Sequence, residues 1–220
     1  MKLQPFTHTV LSNFATINNS MVIHEGNEIR VMPGNKTILA EATVPDTFDR
    51  TFGIYDVRQL LGLISLSRDP DLSFQEKYLE VRSNKNILKY FYTEPSLIVT
   101  PTKRINVSSS EVQFDLPSPT IKAIQKTSQV LSVEDLLITK QDGELEMIVL
   151  DKSSPTSHSS SFEVEGKSTG NFKVYLKIPN LKLIEDDYTV FISSKGVSMF
   201  TAQNNSVKYY IAIESDSSFE

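Results

Sequence analysis

The 220-residue sequence contains no cysteine, no tryptophan and only eight glycines. Without cysteine the chain can form no disulfide bond, no thiolate metal site and no cysteine nucleophile, a composition that suits a reducing cytoplasm. Neither of the glycine-rich phosphate-binding patterns, GxxxxGK[ST] and GxGxxG, occurs in it. These absences exclude cysteine chemistry and the familiar nucleotide-binding loops.

Long hydrophobic runs are also missing. No apolar segment approaches the ~20 residues that span a membrane, and the N-terminus MKLQPFTHTV lacks the apolar core of a signal peptide. We therefore expect a protein that acts in the cytoplasm and makes no contact with a membrane.

Recognisable catalytic motifs are absent. The three histidines, His8, His24 and His158, are far apart, and the sequence has neither a metal-ligand spacing nor a GxSxG motif. Pairs of neighbouring aspartates occur, but turn chemistry explains them better than acid–base catalysis. The sequence indicates no metal and no cofactor, and it favours a binding or structural function over an enzyme.

The most regular segment of the chain is 52–66. A short apolar run leads to Asp56, which is predicted to be a helix N-cap because its carboxylate can accept hydrogen bonds from the free N–H groups of the first turn. Four apolar residues then recur at the spacing of one helical face: Val57, Leu60, Leu61 and Ile64. The segment therefore predicts a short strand followed by an amphipathic helix.

A similar strand-to-helix segment, 172–184, lies near the other end, with Pro179 at the predicted first helical position. A longer helical pattern precedes each segment, at 1–18 and at 117–131. The order of helix, strands, short helix and strands thus occurs twice, which predicts an internal duplication. We expect two domains of α+β class, 1–105 and 106–220, with a Ser-rich connector over 95–113.

Most of the remaining sequence alternates in the manner of antiparallel strands, with turn sequences such as Gln141-Asp142-Gly143 between them. Predicted strands cover 21–23, 28–32, 37–44, 52–55, 78–82 and 87–92 in the first half, and 136–140, 145–150, 161–165, 171–177, 188–193, 197–202 and 207–213 in the second. The low-complexity segment 153–161 is predicted to be a loop, and 214–220 a frayed tail.

Charge is unevenly distributed along the chain. The predicted helical segments, 1–18, 55–68, 117–131 and 177–184, hold seven bases and one acid, a net charge of +6. Because the whole chain carries −5, the remainder carries −11. A protein with these helices on one surface would be basic there and acidic elsewhere, which favours an anionic partner. The alternative is that the lysines simply occupy solvated helix faces.

Short segments spread over nearly the whole chain match a known pattern, and NFATIN is the most specific of them. They are Met1-Lys2-Leu3, Asn13-Phe-Ala-Thr-Ile-Asn18, Ala40-Glu-Ala42, Ile54-Tyr-Asp56, Leu61-Gly62 with Leu63–Leu66, Asn180-Leu-Lys182 and Ile211-Ala-Ile-Glu-Ser-Asp216. Together they resemble the sliding clamps of T-even-type bacteriophages, which are DNA polymerase processivity factors. The connector and the segment 153–161 match poorly.

The resemblance implies a fold of two similar DNA-clamp domains, each with two helices packed on antiparallel sheets. Three chains would close into a ring similar to proliferating cell nuclear antigen, with helices around the central hole and sheets outside. The implied partners are double-stranded DNA bound without sequence preference, DNA polymerase, a clamp loader and further copies of the chain. The implied location is the cytoplasm of the infected bacterial host.

Within this fold the bases of the helical segments would face DNA. Contacts to phosphate hold a duplex without reading its sequence, which is what a sliding protein requires. The predicted DNA-facing residues are Lys2, Arg58, Arg68, Lys122, Lys126, Lys177 and Lys182.

Two further surfaces follow from the related clamps. Exposed sheet edges at 87–92 and 144–149 are expected to pair between subunits, through Ile87, Leu88, Tyr90, Tyr92, Leu145, Met147 and Val149; the alternative is that local loops cover both edges. Partner peptides are expected to dock in a pocket beneath the connector, formed by Leu39, Ile98, Val99, Tyr209 and Ile211; the alternative is that these are ordinary core residues.

Two other classes of protein compete with this interpretation. A β-rich structural phage protein would share the strands and the oligomer, but it would have no reason to concentrate positive charge on helices. A hydrolase with a dispersed active site would need converging titratable groups, and three scattered histidines argue against it.

Overall fold

The computed structural model of the chain describes residues 1–83, 86–107, 109–141, 143–154 and 156–220. Within these ranges it contains three α-helices and 17 β-strands, and all the strand pairs that it gives are antiparallel. The chain divides into two compact units, Met1–Lys103 and Arg104–Glu220. We refer to them as the first and the second unit.

The first unit begins with a helix and contains a second, shorter one. In chain order its elements are α1 (Pro5–Ile17), β1 (Met21–Ile23), β2 (Gly26–Val31), β3 (Ile38–Phe48), β4 (Phe52–Ile54), α2 (Val57–Ser65), β5 (Asp71–Phe74), β6 (Tyr78–Ser83) and β7 (Asn86–Phe91). A 3-10 turn follows at Pro95–Leu97. Strand β1 pairs with β4, β2 pairs with β3, and β5, β6 and β7 form a sheet in that order.

Both helices of the first unit form where the apolar spacing predicts them. Val57, Leu60, Leu61 and Ile64 of α2 are all buried, and α1 buries Val10, Phe14 and Ile17. Burying each of these side chains contributes about 1.5–3 kcal/mol. Because α1 packs against both β3 and α2, the polar faces of the helices remain outside.

The second unit contains one α-helix and more strands. In chain order its elements are β8 (Val112–Leu116), α3 (Ser118–Leu131), β9 (Asp135–Gln141), β10 (Glu144–Leu150), β11 (Ser160–Val164), β12 (Gly166–Ser168), β13 (Phe172–Lys177), β14 (Tyr188–Ser193), β15 (Val197–Ala202), β16 (Val207–Ala212) and β17 (Ser218–Phe219). Among these strands, one sheet has the order β11-β10-β9-β13-β17, and β12, β8, β14, β15 and β16 pair in that order. The predicted turn at 141–143 includes a position outside the described residues.

The predicted fourth helix, 177–184, is wrong. The structure has a single 3-10 turn at Ile178–Asn180, after which Leu181 leaves helical geometry at φ −76° and ψ 57°. Forming the first helical turn is costly, and a segment this short has too few following residues to recover the cost. Over its described residues the second unit therefore has one α-helix and a 3-10 turn, not the two helices expected of each domain.

Several short strands were not predicted from the sequence. Strand β8 was not predicted, and its first two residues were assigned to the connector. Its burial nevertheless alternates along Val112–Leu116, with every second side chain buried. The tail was predicted to be frayed, yet β17 pairs with β13, and the rings of Phe172 and Phe219 stack with their centroids 6.4 Å apart. Pairing with a distant strand stabilises both segments beyond their local sequence preference.

The prediction that 144–149 is an exposed edge is also wrong. Strand β10 lies between β9 and β11, with Met147 opposite Ile138 on one side and Phe162 on the other. Leu145, Met147 and Val149 share one face of β10, and all three are buried. After the low-complexity segment 153–161 begins, the chain pairs with β10 as β11. Strand β11 therefore forms the edge of this sheet.

Candidate nucleic-acid interface

Acidic residues are absent from all three α-helices, although the sequence contains 27 of them. The charged residues within the helices are Arg58 in α2 and Lys122 and Lys126 in α3, and all three are exposed. Exposed helix faces usually carry acids and bases together. Each α-helix therefore presents an exposed face that carries no carboxylate of its own.

Arg58 lies where α2 begins beside the end of α1. Its backbone N–H donates to the Asn19 Oδ1 atom at 3.3 Å, and its guanidinium Nη2 donates to the Ala15 carbonyl in the last turn of α1 at 3.3 Å. A cation near a helix C-terminus is stabilised by the helix dipole. Because a guanidinium has five N–H donors, Arg58 can hold α1 and still contact a phosphate.

Asp56 caps α2, as predicted. Its Oδ1 atom accepts a hydrogen bond from the backbone N–H of Gln59 at 2.8 Å. That hydrogen bond, with help from the Asn19 side chain, holds the pKa of the Asp56 carboxyl below its usual value. The carboxylate therefore stays charged at neutral pH and fixes the orientation of the helix that carries Arg58.

Lys2 and Arg68 lie outside the helices of the first unit. Both are exposed, and Lys2 forms an ion pair with Asp69, whose hydrogen bond raises the pKa of the Lys2 ammonium. Asp69 has a positive φ of 59°, a conformation that Asp and Asn tolerate better than most residues. The turn after α2 thus places a carboxylate directly on Lys2.

Lys122 and Lys126 are four residues apart on α3 and so lie on the same side of it. Lys122 forms an ion pair with Glu185, which follows the 3-10 turn of the second unit. Within the part of the chain that the structure describes, Lys126 forms no ion pair. The buried side of α3 carries Ile121, Ile124 and Ser128.

The structure gives Lys177 a structural role. Its Nζ atom lies 2.6 Å from the Oδ1 atom of Asp135, a carboxylate only 7% exposed. A buried carboxylate without a cation would be strongly destabilising, so Lys177 is needed where it is. The sequence could not reveal this contact because the two residues are 42 positions apart. Lys182 is half-buried in the loop that follows the 3-10 turn.

The edge predicted at 87–92 corresponds to β7, which borders the sheet of the first unit. Ile87 and Phe91 are exposed and Leu88 is half-buried. Tyr90 is buried, and its hydroxyl bonds both the N–H and the carbonyl of Asp56 at 3.1 Å. The side chains available at this edge are therefore Ile87, Lys89 and Phe91.

Tyr92 lies just beyond β7, and its side chain serves the interior of the first unit. Its ring packs against Phe52 with the centroids 4.7 Å apart. Burial raises the pKa of the Tyr92 hydroxyl to about 12. Its backbone N–H donates to the Lys77 carbonyl at 3.1 Å, so neither this N–H nor the ring is available to the predicted edge.

Strand β11 carries acidic side chains at the edge of its sheet. An open groove of about 580 Å3 lies beside it, lined by Glu144, Glu163 and Glu165 together with Leu145 and Val164. Lys89 on β7 has the opposite sign and is exposed. Opposite charges on two unpaired edges favour their association over pairing of like edges.

The five residues of the predicted peptide pocket are distributed over both units. Leu39 and Ile98 of the first unit are buried and Val99 is exposed, whereas Tyr209 and Ile211 of the second unit are completely buried. Tyr209 also accepts a hydrogen bond from the backbone N–H of Ile184 at 3.0 Å, as an ordinary core residue does. Leu97, which the prediction did not include, is 77% exposed beside Ile98.

No described helix combines the length and the apolar character needed to cross a membrane. Among the described residues, no group of three or more His, Asp or Glu side chains is placed to hold a metal ion.

Residues 2–100 match the family model described as "DNA polymerase processivity factor". The chain is 29% identical to the sliding clamp of Vibrio phage KVP40 over 97% of its length and 99% of that protein. It is 26% identical to the sliding clamp of Enterobacteria phage T4 over the whole of both chains. Among solved structures, A. fulgidus PCNA with the bound C-terminal region of FEN-1 has a TM-score of 0.72 at 15% identity, covering 96% of each chain.

Proposed function

Because this chain is a sliding clamp of the T4-like phage type, and thus a DNA polymerase processivity factor, we propose that three copies close into a ring around duplex DNA. The ring tethers the replicative polymerase to its template. It acts in the cytoplasm of the infected bacterium, is opened and closed by a clamp loader, and has no catalytic activity of its own.

The observation that carries this proposal is the absence of acidic residues from the three α-helices. Duplex DNA has about one negative charge per 1.7 Å of its axis, and a helix face without carboxylates lies against it at lower cost than a face that carries them. The bases that serve this contact are Lys2, Arg58, Arg68, Lys122, Lys126 and Lys182. Lys177 contributes less, since Asp135 already holds its ammonium group.

Sliding requires an affinity for DNA that is weak and does not depend on the base sequence. A closed ring cannot leave its DNA sideways, so it gains nothing from tight binding. Contacts to phosphates carry no sequence information, and the neighbouring helix residues Ser12, Thr16, Gly62 and Ser65 are small and exposed. Such residues offer no long side chain with which to read base edges.

The two compact units correspond to the two clamp domains of each chain. Both contain an acid-free helix with buried apolar residues on its inner side, namely α1 and α3. In each, a shorter helical element follows after intervening strands: α2 in the first unit and the 3-10 turn in the second. This repetition is what a ring of quasi-equivalent domains requires.

Head-to-tail contact between edge strands closes the ring. The first unit supplies β7, with Ile87, Lys89 and Phe91 exposed, and the second supplies β11, with Glu163 exposed. Pairing β7 of one copy with β11 of the next covers two unpaired edges and brings Lys89 towards acidic side chains. One such contact, repeated by rotation, produces a closed ring.

Partner peptides dock on the apolar segment that follows β7. Leu97 and Val99 expose large apolar surfaces next to buried Ile98. Exposed aliphatic residues close together mark an interaction site more often than isolated ones do. A short apolar segment of the polymerase is the occupant expected in a processivity factor.

The solution mass and DNA retention of the purified protein test this proposal together. A trimer of 24.8 kDa chains should approach about 74 kDa at high concentration, and nicked circular DNA should retain it only when a clamp loader and ATP are supplied. The competing structural phage protein would assemble without any dependence on a loader. A monomer at high concentration, or retention without a loader, would contradict the ring.

A further inference from the structure

Two of the proposed DNA-facing lysines are already paired with a carboxylate. Lys2 contacts Asp69 in the first unit, and Lys122 contacts Glu185 in the second. All four side chains are more than half exposed, between 53% and 70%. Both pairs are therefore open to solvent, and a phosphate can reach either lysine.

The two carboxylates occupy corresponding places in the chain. Asp69 follows α2, and Glu185 follows the 3-10 turn that takes the place of a second helix in its unit. Each reaches back to a lysine in or just before the longer helix of the same unit. The same arrangement thus occurs in both units, although the helices themselves contain no acid.

An exposed ion pair of this kind is weak and exchanges readily. Such pairs change an equilibrium by about twofold to fivefold in water. A phosphate that approaches Lys122 must displace the Glu185 carboxylate, which then lies close to the phosphate and repels it. The lysine still attracts DNA, but less strongly than Lys126, which forms no ion pair within the described residues.

We propose that Asp69 and Glu185 compete with DNA phosphates for Lys2 and Lys122, and that this competition sets how firmly the ring holds duplex DNA. The proposal rests on the proposed function, since it requires these lysines to face DNA. The carboxylates act as built-in substitutes for phosphate. Each lysine passes from phosphate to carboxylate and back as the ring moves, so no single contact has to break without replacement.

The competition leaves a signature in the salt dependence of binding. A lysine that binds phosphate releases a counterion from DNA, and each such contact steepens the slope of log affinity against log salt by about 0.9. When the lysine leaves a carboxylate to do so, that carboxylate takes up a cation and cancels part of the release. Removing the carboxylate should therefore steepen the slope by up to about one unit per engaged pair.

The experiment uses the full-length protein and a short blunt-ended duplex, with affinity measured by fluorescence anisotropy over a series of salt concentrations. The single variants are Asp69→Asn, Glu185→Gln, Lys122→Ala and Lys126→Ala. The double variants are Lys122→Ala/Glu185→Gln and Lys126→Ala/Glu185→Gln. Asparagine suits the positive φ at position 69. Glu134→Gln is the matched control, because it removes the same charge from an exposed residue of the second unit that has no ion pair within the described residues.

The proposal predicts that Glu185→Gln and Asp69→Asn each bind duplex about twofold to fivefold more tightly and with a steeper salt slope, whereas Glu134→Gln changes neither. In the Lys122→Ala background, Glu185→Gln should lose most of its effect, and in the Lys126→Ala background it should keep it. An equal effect in both backgrounds would overturn the proposal and assign the change to general charge alone.

A second result would also overturn the proposed competition. In it, Asp69→Asn and Glu185→Gln bind duplex no more tightly than the unaltered chain, while both lysine variants bind it more weakly. The assignment of the lysines to the DNA-facing surface would then still stand. If Lys122→Ala and Lys126→Ala bind duplex as well as the unaltered chain, the DNA-facing assignment itself fails and the competition fails with it.

Discussion

The Oδ2 atom of Asp46 accepts a 2.8 Å hydrogen bond from the backbone N–H of Gln4, the residue immediately before α1. The second unit repeats the relationship, since the Oδ1 atom of Asp187 accepts from the backbone N–H of Ser118 at the start of α3, also at 2.8 Å. The first N–H groups of a helix have no partner within it. In both units an aspartate outside the helix supplies one and fixes where the helix starts.

Asp46→Ala should therefore destabilise the protein by about 0.5–2 kcal/mol, the range found for lost helix caps. Asp46 is only 7% exposed, so water cannot easily replace the lost acceptor. Asp46→Asn should cost less, because its amide oxygen can still accept the bond. Urea denaturation measures both, and equal stability of the alanine and asparagine variants would show that the hydrogen bond contributes nothing.

The Asp56 cap predicts a pH dependence. The pKa of Asp56 is lower in the folded chain because the Gln59 N–H bonds its charged form, so its contribution is fully present above the unfolded pKa, about 3.9. It is lost as the pH falls through the folded value. Asp56→Ala should lower the free energy of unfolding by about 1 kcal/mol at neutral pH and by less near pH 3. A constant difference at both pH values would exclude the carboxylate as the cause.

Charge reversal tests the proposed contact between β7 and β11. Lys89→Glu and Glu163→Lys should each weaken the trimer, because each places like charges at the contact, and the two together should restore it. Analytical ultracentrifugation over a concentration series gives the masses. Lys195→Glu, on an exposed turn of the second unit, is the control and should leave the trimer unaffected. If both single variants form trimers as stable as those of the unaltered chain, β7 and β11 are not part of the subunit interface.

Leu97→Asp should weaken docking of the polymerase without unfolding the clamp, since Leu97 is exposed whereas Ile98 is buried. A peptide from the C-terminus of the polymerase should compete with the polymerase for the unaltered clamp, and we expect this competition to be lost in the variant. The thermal midpoint of unfolding should change little. Ile98→Ala makes a useful contrast, because it should lower stability as well. Undiminished peptide binding by Leu97→Asp would place the docking site elsewhere.

What could be predicted from the sequence was mainly local. Apolar spacing predicted α1, α2 and α3 because one buried face per helix is a property of neighbouring residues. It predicted too much at 177–184, where an initial proline and two apolar residues resemble a helix start but the chain turns away after Asn180. Alternation within Val112–Leu116 could have revealed β8, but the surrounding serines hid it.

Relationships between distant segments could not be predicted in this way. The sequence of β10 is that of a strand, yet nothing in it tells that β11 covers its outer side. The same holds for the carboxylates that contact Lys2, Lys122 and Lys177, which lie 67, 63 and 42 positions away. Counting charges assigned seven bases to helical segments, but only Arg58, Lys122 and Lys126 lie in α-helices. The count also could not show which bases the chain itself neutralises.

The most direct test of the account is processive synthesis by the polymerase with a clamp whose Lys122 and Lys126 are both changed to Glu. On a primed circular template with clamp loader and ATP, we predict that stimulation of the polymerase is lost while the solution mass stays near that of the trimer. A clamp with Lys173 and Lys195, exposed residues outside the helices, changed to Glu should stimulate normally. Undiminished stimulation by the Lys122/Lys126 variant would contradict the account, because DNA could not then run along α3.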